Sequence, residues 1–171
     1  TLTALAGKAR ARGLILAADY HLRFAPAVSK ALTWVSDGLV GDPLFVNMNL
    51  FIAPRAHDTD SDETQPDEWQ MLRNLGSHGI DMIRRFCGEI EHVQCFVQRK
   101  DDKVCAAQIN LHLADSMVGT LTLCDEMSSL HPIARFEMAG SKARFTIENV
   151  YEEASLFIHA DEEKHILTNN I

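Results

Sequence analysis

The sequence predicts an α+β fold: an open, mainly antiparallel sheet with helices on one face, preceded by the last helix–strand unit of an α/β domain. Three observations carry this. Leu14 to Ala18 is a continuous apolar run of strand length, placed directly after a helical segment, which suits a strand covered on both faces in a parallel sheet. From residue 44 onward the apolar period changes to two and recurs in segment after segment with short links, the pattern of antiparallel neighbours. Only two later stretches, near 26–38 and 76–88, keep a helical period.

The elements follow in order. Leu2, Leu5, Ala6 and Ala9 share one face of a first helix that stops at Gly13, since glycine accepts the left-handed conformation after a last turn. Pro26 opens a second helix, with Val28, Ala31, Leu32 and Val35 on its apolar face and Gly38 as its stop; Gly41-Asp42-Pro43 is a turn. Leu44, Val46, Met48 and Leu50 then alternate with Phe45, Asn47, Asn49 and Phe51. A third helix begins within Asn74-Leu75-Gly76-Ser77-His78-Gly79-Ile80-Asp81, buries Ile80, Ile83, Phe86 and Cys87, and stops at Gly88. The remaining strands run through Val93–Val97, Cys105–Leu113, Thr120–Leu123, Ala134–Met138, Phe145–Ile147 and Leu156–Ile158, with a turn at Gly140-Ser141. One sheet face is apolar and carries the helices. The other holds Asn47, Asn49, Gln108, Asn110, Thr120 and Thr122, which suits solvent, a cleft, or an isologous interface with a second copy.

The chain has 171 residues, enough for one domain or slightly more, and at this size folding buries roughly 70% of its accessible surface. A net charge of −8 argues against nucleic acid, which calls for a basic face, and against an anionic membrane surface. No apolar run approaches the ~20 residues of a span, and no basic-then-apolar leader is present. The chain opens at Thr1 directly in a helical pattern, so we expect a piece of a longer protein.

Cys87, Cys95, Cys105 and Cys124 form no C-x-x-C pair, which leaves no zinc pattern. Cys95 and Cys105 alternate with polar neighbours as inward strand residues do, and the expectation is reduced, buried thiols in a cytoplasmic protein. Asp58, Asp60 and Asp62 start a calcium-loop spacing, but Glu63 stands where glycine is needed and Trp69 where the closing glutamate is needed. The acidic stretch 58–68 is therefore a solvated loop that could act as a lid. Cys87, His92 and Cys95 fit no compact metal site, and no metal is expected.

His78 is the candidate for chemistry. Gly76 and Gly79 flank it and allow close backbone approach or unusual φ values. Asp81, three residues on, can face the imidazole or the free amides of a first turn, and Asn74, four before, can cap or hydrogen-bond. A histidine at a helix N-terminus is held neutral by the local positive potential and can accept a hydroxyl proton. The same spacing also suits a structural turn histidine, and the residues alone leave both open.

Several segments together resemble the Gfo/Idh/MocA family, the glucose–fructose oxidoreductase and inositol dehydrogenase relatives. Asp19-Tyr20-His21-Leu22-Arg23-Phe24-Ala25-Pro26 resembles "Y-x-x-R-F-x-P", Gly38 to Pro43 "G-x-I-G-x-P", Asn74 to Asp81 "D-x-G-x-H-x-x-D", Phe86-Cys87-Gly88 the closing "L-x-G", and Gly140 to Ala143 "G-x-x-G". Order and spacing agree over about residues 1–150. The resemblance implies an NAD(P)-dependent oxidoreductase with a Rossmann domain first. Residues 1–20 are then the tail of that domain, and 21–171 the substrate-binding and oligomerisation domain. The implied cofactor is NAD or NADP, bound mainly outside this chain; the implied substrate is a sugar or polyol; the implied assembly is a homodimer or homotetramer through the sheet face. His78 falls on the family's acid/base histidine. Arg23, Tyr20 and Asp81 fall near the substrate cleft. Asn74 stands where the family usually has the aspartate that pairs with the histidine, and Met71-Leu72-Arg73 replaces a frequent glycine pair. The family's "E-K-P" lysine and its glycine-rich phosphate loop are not in this chain, which alone is expected to be inactive. A non-catalytic relative with a binding or regulatory role is the alternative.

Overall fold

The computed structural model describes residues 2–53, 68–127, 133–149, 153–158 and 164–168. Helix α1 (Leu2–Ala11) is followed by a short 3₁₀ turn (His21–Phe24) and α2 (Pro26–Ser36). Strand β1 (Pro43–Phe51) precedes a π-helical turn (Leu72–Gly76) that runs straight into α3 (Ser77–Cys87). Seven strands follow: β2 (Ile90–Lys100), β3 (Lys103–Leu113), β4 (Val118–Cys124), β5 (Ile133–Gly140), β6 (Ala143–Glu148), β7 (Glu153–Ile158) and β8 (Lys164–Thr168).

The strands form one sheet in the order β2-β3-β4-β1-β5-β6-β7-β8. Pairing is antiparallel throughout the described residues except between β1 and β4, where Asn47 lies opposite Thr120 in parallel register. The exception follows from chain order. The chain leaves β1 at the sheet centre, crosses through α3, enters at the far edge as β2, and meanders back until β4 meets β1. The expected α+β architecture with an open sheet and helices on one face is what the structure shows.

Helix α3 lies over β1 at the centre of the sheet, and α2 beside it over β6 and β7. Val28, Ala31 and Trp34 from α2 and Met82, Ile83 and Phe86 from α3 are buried against Met48, Leu121, Phe136, Met138 and Phe145. Phe86 lies 4.6 Å from Phe136 between ring centroids, and Trp34 lies 6.1 Å from Phe145, in the tilted geometries aromatic quadrupoles favour.

Three expectations differ here, and a fourth falls outside the described residues. Leu14–Ala18 forms no strand: no strand among the described residues pairs with it, and Ile15 is 95% exposed, because a parallel strand needs neighbours to take its backbone hydrogen bonds. Ile80 is exposed and Met82 takes the buried position, because the buried stripe of α3 runs through Gly79, Met82, Ile83 and Phe86 and Ile80 falls at its edge. Cys95 is exposed because β2 is an edge strand beyond the reach of the helix layer, while Cys105 on β3 and Cys124 on β4 are only half-buried, Cys124 in phase with Thr120 and Thr122 on the polar face. Of the acidic stretch 58–68, read as a solvated loop that could act as a lid, residues 58–67 lie outside the described residues. No helix among the described residues is long and apolar enough to cross a membrane.

Candidate active site

The 3₁₀ turn places one half of the site. Pro26 disfavours a helical Ala25, which is extended at φ −60° and ψ 139°. That single extended residue separates the turn from α2. Leu22 and Ala25 are buried and anchor the turn to the core, so Tyr20, His21 and Arg23 are carried to the side where α3 passes.

Helix α3 places the other half. His78 is half-buried within it. Gly76 has ordinary helical angles of φ −61° and ψ −39°, and helical backbone already begins at Gln70. The expected helix N-terminus at His78 is therefore not there, and neither glycine adopts an unusual φ. Gly79 serves packing: a Cβ there would lie 2.6 Å from Leu121 Cδ1, so the glycine lets α3 sit directly on β4.

The two halves meet at the His78 ring. The Tyr20 ring stands edge-on to it at 6.0 Å, and the His21 ring at 5.1 Å. Arg23 Nε donates to Asp81 Oδ2 at 3.0 Å, and a second Arg23 nitrogen donates to Oδ1, a two-point ion pair. The Arg23 guanidinium also lies 5.8 Å from the Tyr20 ring centre, within cation–π range. Asp81, expected to face the imidazole or the free amides of a first turn, instead binds the turn across from it.

Asn74 does not join them. It is exposed, its carbonyl accepts from Ser77 Oγ at 2.9 Å, and no hydrogen bond links it to His78. The spacing of four aligns residues on an α-helix, but the wider π turn over 72–76 moves Asn74 off that line. His78 Nδ1 is consequently buried without a hydrogen-bond partner among the described residues.

Burial lowers the His78 pKa below the usual histidine value, and His21 pushes in the same direction; Asp81 and Asp19 oppose them more weakly. The neutral imidazole is favoured, as the sequence suggested, through desolvation in place of a helix terminus. A neutral, partly desolvated imidazole can take a proton from a hydroxyl held against it.

The family profile for the GFO/IDH/MocA C-terminal domain matches residues 28–146. The chain belongs to the Gfo/Idh/MocA family. Solved structures agree in fold. Levoglucosan dehydrogenase in complex with NADH and levoglucosan aligns at TM-score 0.77 and 16% identity, over 91% of this chain and 47% of that one. UDP-N-acetylglucosamine 3-dehydrogenase from Acidithiobacillus ferrooxidans aligns at TM-score 0.74 and 18% identity, over 98% of this chain and 52% of that one. An oxidoreductase from Pseudomonas syringae aligns at TM-score 0.77 and 13% identity, over 99% and 46%. The chain thus spans about half the length of these proteins. No curated protein matches it.

Within this Gfo/Idh/MocA domain, sequence reading singled out Tyr20, Arg23, His78 and Asp81, which the structure brings together, and Asn74, which it does not. It passed over His21. No periodicity flags that residue, and only the docking of the turn on α3 sets it beside His78.

Proposed function

We propose that this chain is the substrate-binding and oligomerisation domain of an NAD(P)-dependent oxidoreductase acting on a sugar or polyol hydroxyl. Residues 1–20 are the tail of a Rossmann domain and 21–171 the substrate domain. The observation that carries the reading is the half-buried His78 with its protonation held down, enclosed by Tyr20, His21 and the Arg23–Asp81 pair. The exposed apolar run Leu14-Ile15-Leu16 fits a strand that completes a sheet supplied by the rest of the protein.

In this mechanism His78 accepts the substrate hydroxyl proton. Arg23 and Tyr20 border the space where the sugar binds, and Asp81 fixes Arg23 there. A nicotinamide, bound mainly by the other domain, supplies the hydride acceptor. A half-buried imidazole with its neutral form favoured fits that division, because it can take a proton while the hydride goes to the nicotinamide. The four cysteines are unpaired, which suits the cytoplasm.

The polar sheet face is the proposed contact of a homodimer or homotetramer. Thr120 Oγ1 donates to Asn47 Oδ1 at 2.8 Å and Thr122 Oγ1 to Gln108 Oε1 at 2.9 Å, so the polar groups of this face are ordered across strands.

The test is His78→Ala in the full-length protein. Turnover should fall by about 100-fold or more, with nicotinamide affinity little changed. Unchanged turnover would sink the reading. Asn74 favours one alternative, a non-catalytic relative, because it leaves His78 without the carboxylate partner usual in the family. If neither the wild-type protein nor Asn74→Asp oxidises any sugar or polyol, the alternative stands.

A further inference from the structure

Strand β2 leaves one edge of the sheet open: it pairs with β3, and no strand among the described residues lies on its other side. Soluble proteins blunt such edges with charged side chains, proline or a bulge, because the free N–H and C=O groups of an edge accept a further strand. The middle of β2 has none of these. From His92 to Gln98 it holds no Lys, Arg, Asp, Glu or Pro. Glu91 is the extra residue of a bulge at its start, and the irregularity at its other end puts the extra residue, Cys105, on β3. The run between is apolar and exposed on both faces. Val93 and Val97, opposite buried Leu111 and Ala107, are 65% and 38% exposed on the helix side, and Phe96, opposite Gln108, is 59% exposed on the polar side.

We infer that β2 is a second assembly contact, in which it pairs antiparallel with β2 of another copy about a two-fold axis at Cys95. Such an axis keeps each sheet face on its own side. It sets Cys95 opposite Cys95, Val93 opposite Val97, Gln94 opposite Phe96 and His92 opposite Gln98. The apolar pattern selects this register. An axis at Gln94 sets Val97 opposite Glu91. One at Phe96 sets Val93 opposite Arg99, whose guanidinium is held by Glu68 and lies over Trp69. Of the three, the axis at Cys95 alone covers Val93 and Val97 with each other. The helices leave room for a second sheet beside β2, because α3 lies over β1 and α2 over β6 and β7.

A second copy is the occupant because the run is complementary to itself. One strand from each copy makes a small contact, in the weak class below roughly 1,200 Å². It therefore forms at concentrations on the order of hundreds of micromolar and joins the sheet-face dimers proposed above. It does not depend on the proposed chemistry.

The pairing brings two Cys95 residues together. Directly opposite residues of antiparallel strands have Cα atoms about 4.5–5.5 Å apart, within the span of a disulfide. The full-length protein at about 300 µM is treated with diamide, which takes two electrons and two protons from a thiol pair, and non-reducing electrophoresis reads the cross-link. Wild type should give a cross-linked pair that Cys95→Ser abolishes. Val93→Lys keeps the thiol but blocks the edge, so it should lose the cross-link too. Absence of a Cys95 cross-link in wild type overturns the pairing. So does an equal yield in Val93→Lys, which marks random collision.

Sedimentation tests the contact without a thiol. Thr122→Arg removes the proposed sheet-face contact and leaves β2 untouched. This full-length variant should be a monomer at micromolar concentration and a dimer at hundreds of micromolar, whether or not wild type assembles through its sheet face. Adding Val93→Lys and Val97→Lys should keep it monomeric, and so should adding Val93→Glu and Val97→Glu. An equimolar mixture of the two should pair again, since each lysine then meets a glutamate. A Thr122→Arg protein that is monomeric at both concentrations overturns the inference, and a mixture that fails to pair overturns the register.

Discussion

Arg23 and Asp81 are 58 residues apart in the chain and form a two-point ion pair, with Arg23 Nε 3.0 Å from Asp81 Oδ2. The Asp81 side chain is 10% exposed and that of Arg23 38%. The pair clamps the turn bearing Tyr20 and His21 onto the helix bearing His78. A bidentate guanidinium–carboxylate pair fixes orientation as well as distance, so the pair acts as a positioning device for the site.

Removing that clamp should loosen the turn and spare the core. In Asp81→Asn, amide hydrogen exchange over residues 21–24 should become faster, while exchange in β5 and β6 keeps its wild-type rate. Equal exchange in the turn would show that Leu22 and Ala25 hold it without the ion pair.

Gly79 sets the distance between α3 and the sheet. The Cβ of Gly79→Ala would press on the fully buried Leu121 side chain, 2.6 Å from Cδ1 and 2.9 Å from Cδ2. Overpacking typically costs about 1–3 kcal/mol, against about 1 kcal/mol gained from alanine in a helix. The expected outcome is a net loss of up to about 2 kcal/mol in urea denaturation. A gain in stability would mean that Leu121 has room to turn aside.

The thiols should divide by environment. Burial pushes the Cys87 thiol up to about 12, whereas Cys95 is exposed on the edge strand. Iodoacetamide at pH 8 should label Cys95 and leave Cys87 unmodified until the chain unfolds. The sign for stability follows from linkage. The folded value lies above the unfolded one, so the Cys87 contribution is fully present below about pH 9 and lost as pH rises from 9 toward 12. Comparing wild type with Cys87→Ala across that window reads it directly, because the variant should lack this part of the alkaline loss.

The sheet face offers a separate test of assembly. Thr122 sits on central strand β4 with its hydroxyl bonded to Gln108. Thr122→Arg should leave the helix-side core intact but place a charge in the middle of the proposed contact. Sedimentation at micromolar concentration should show a dimer for the wild type and a monomer for the variant. A monomeric wild type would remove the sheet face from consideration.

Much of the architecture was legible because it depends on patterns that local chemistry enforces. The period-two segments from Leu44 onward became strands with Val46, Met48 and Leu50 buried, since alternation leaves a strand one way to hide its apolar side. Pro26, Gly38 and Gly88 marked helix ends because the first fixes φ and the others accept positive φ. The burial of Cys95 failed where pattern meets position: β2 alternates like its neighbours, but an edge strand with no helix above it buries neither face.

The family resemblance alone implied that His78, Arg23 and Asp81 lie near one cleft; the sequence by itself determined the class of fold and the helix stops. These follow from backbone sterics and apolar periodicity, which act within a few residues. Tertiary structure alone decided who touches whom. It turned Asn74 away from His78 through a π turn, gave Asp81 to Arg23, and brought His21 edge-on to His78. Those contacts depend on how a turn before α2 docks against α3, and no local pattern encodes a docking angle between segments more than fifty residues apart.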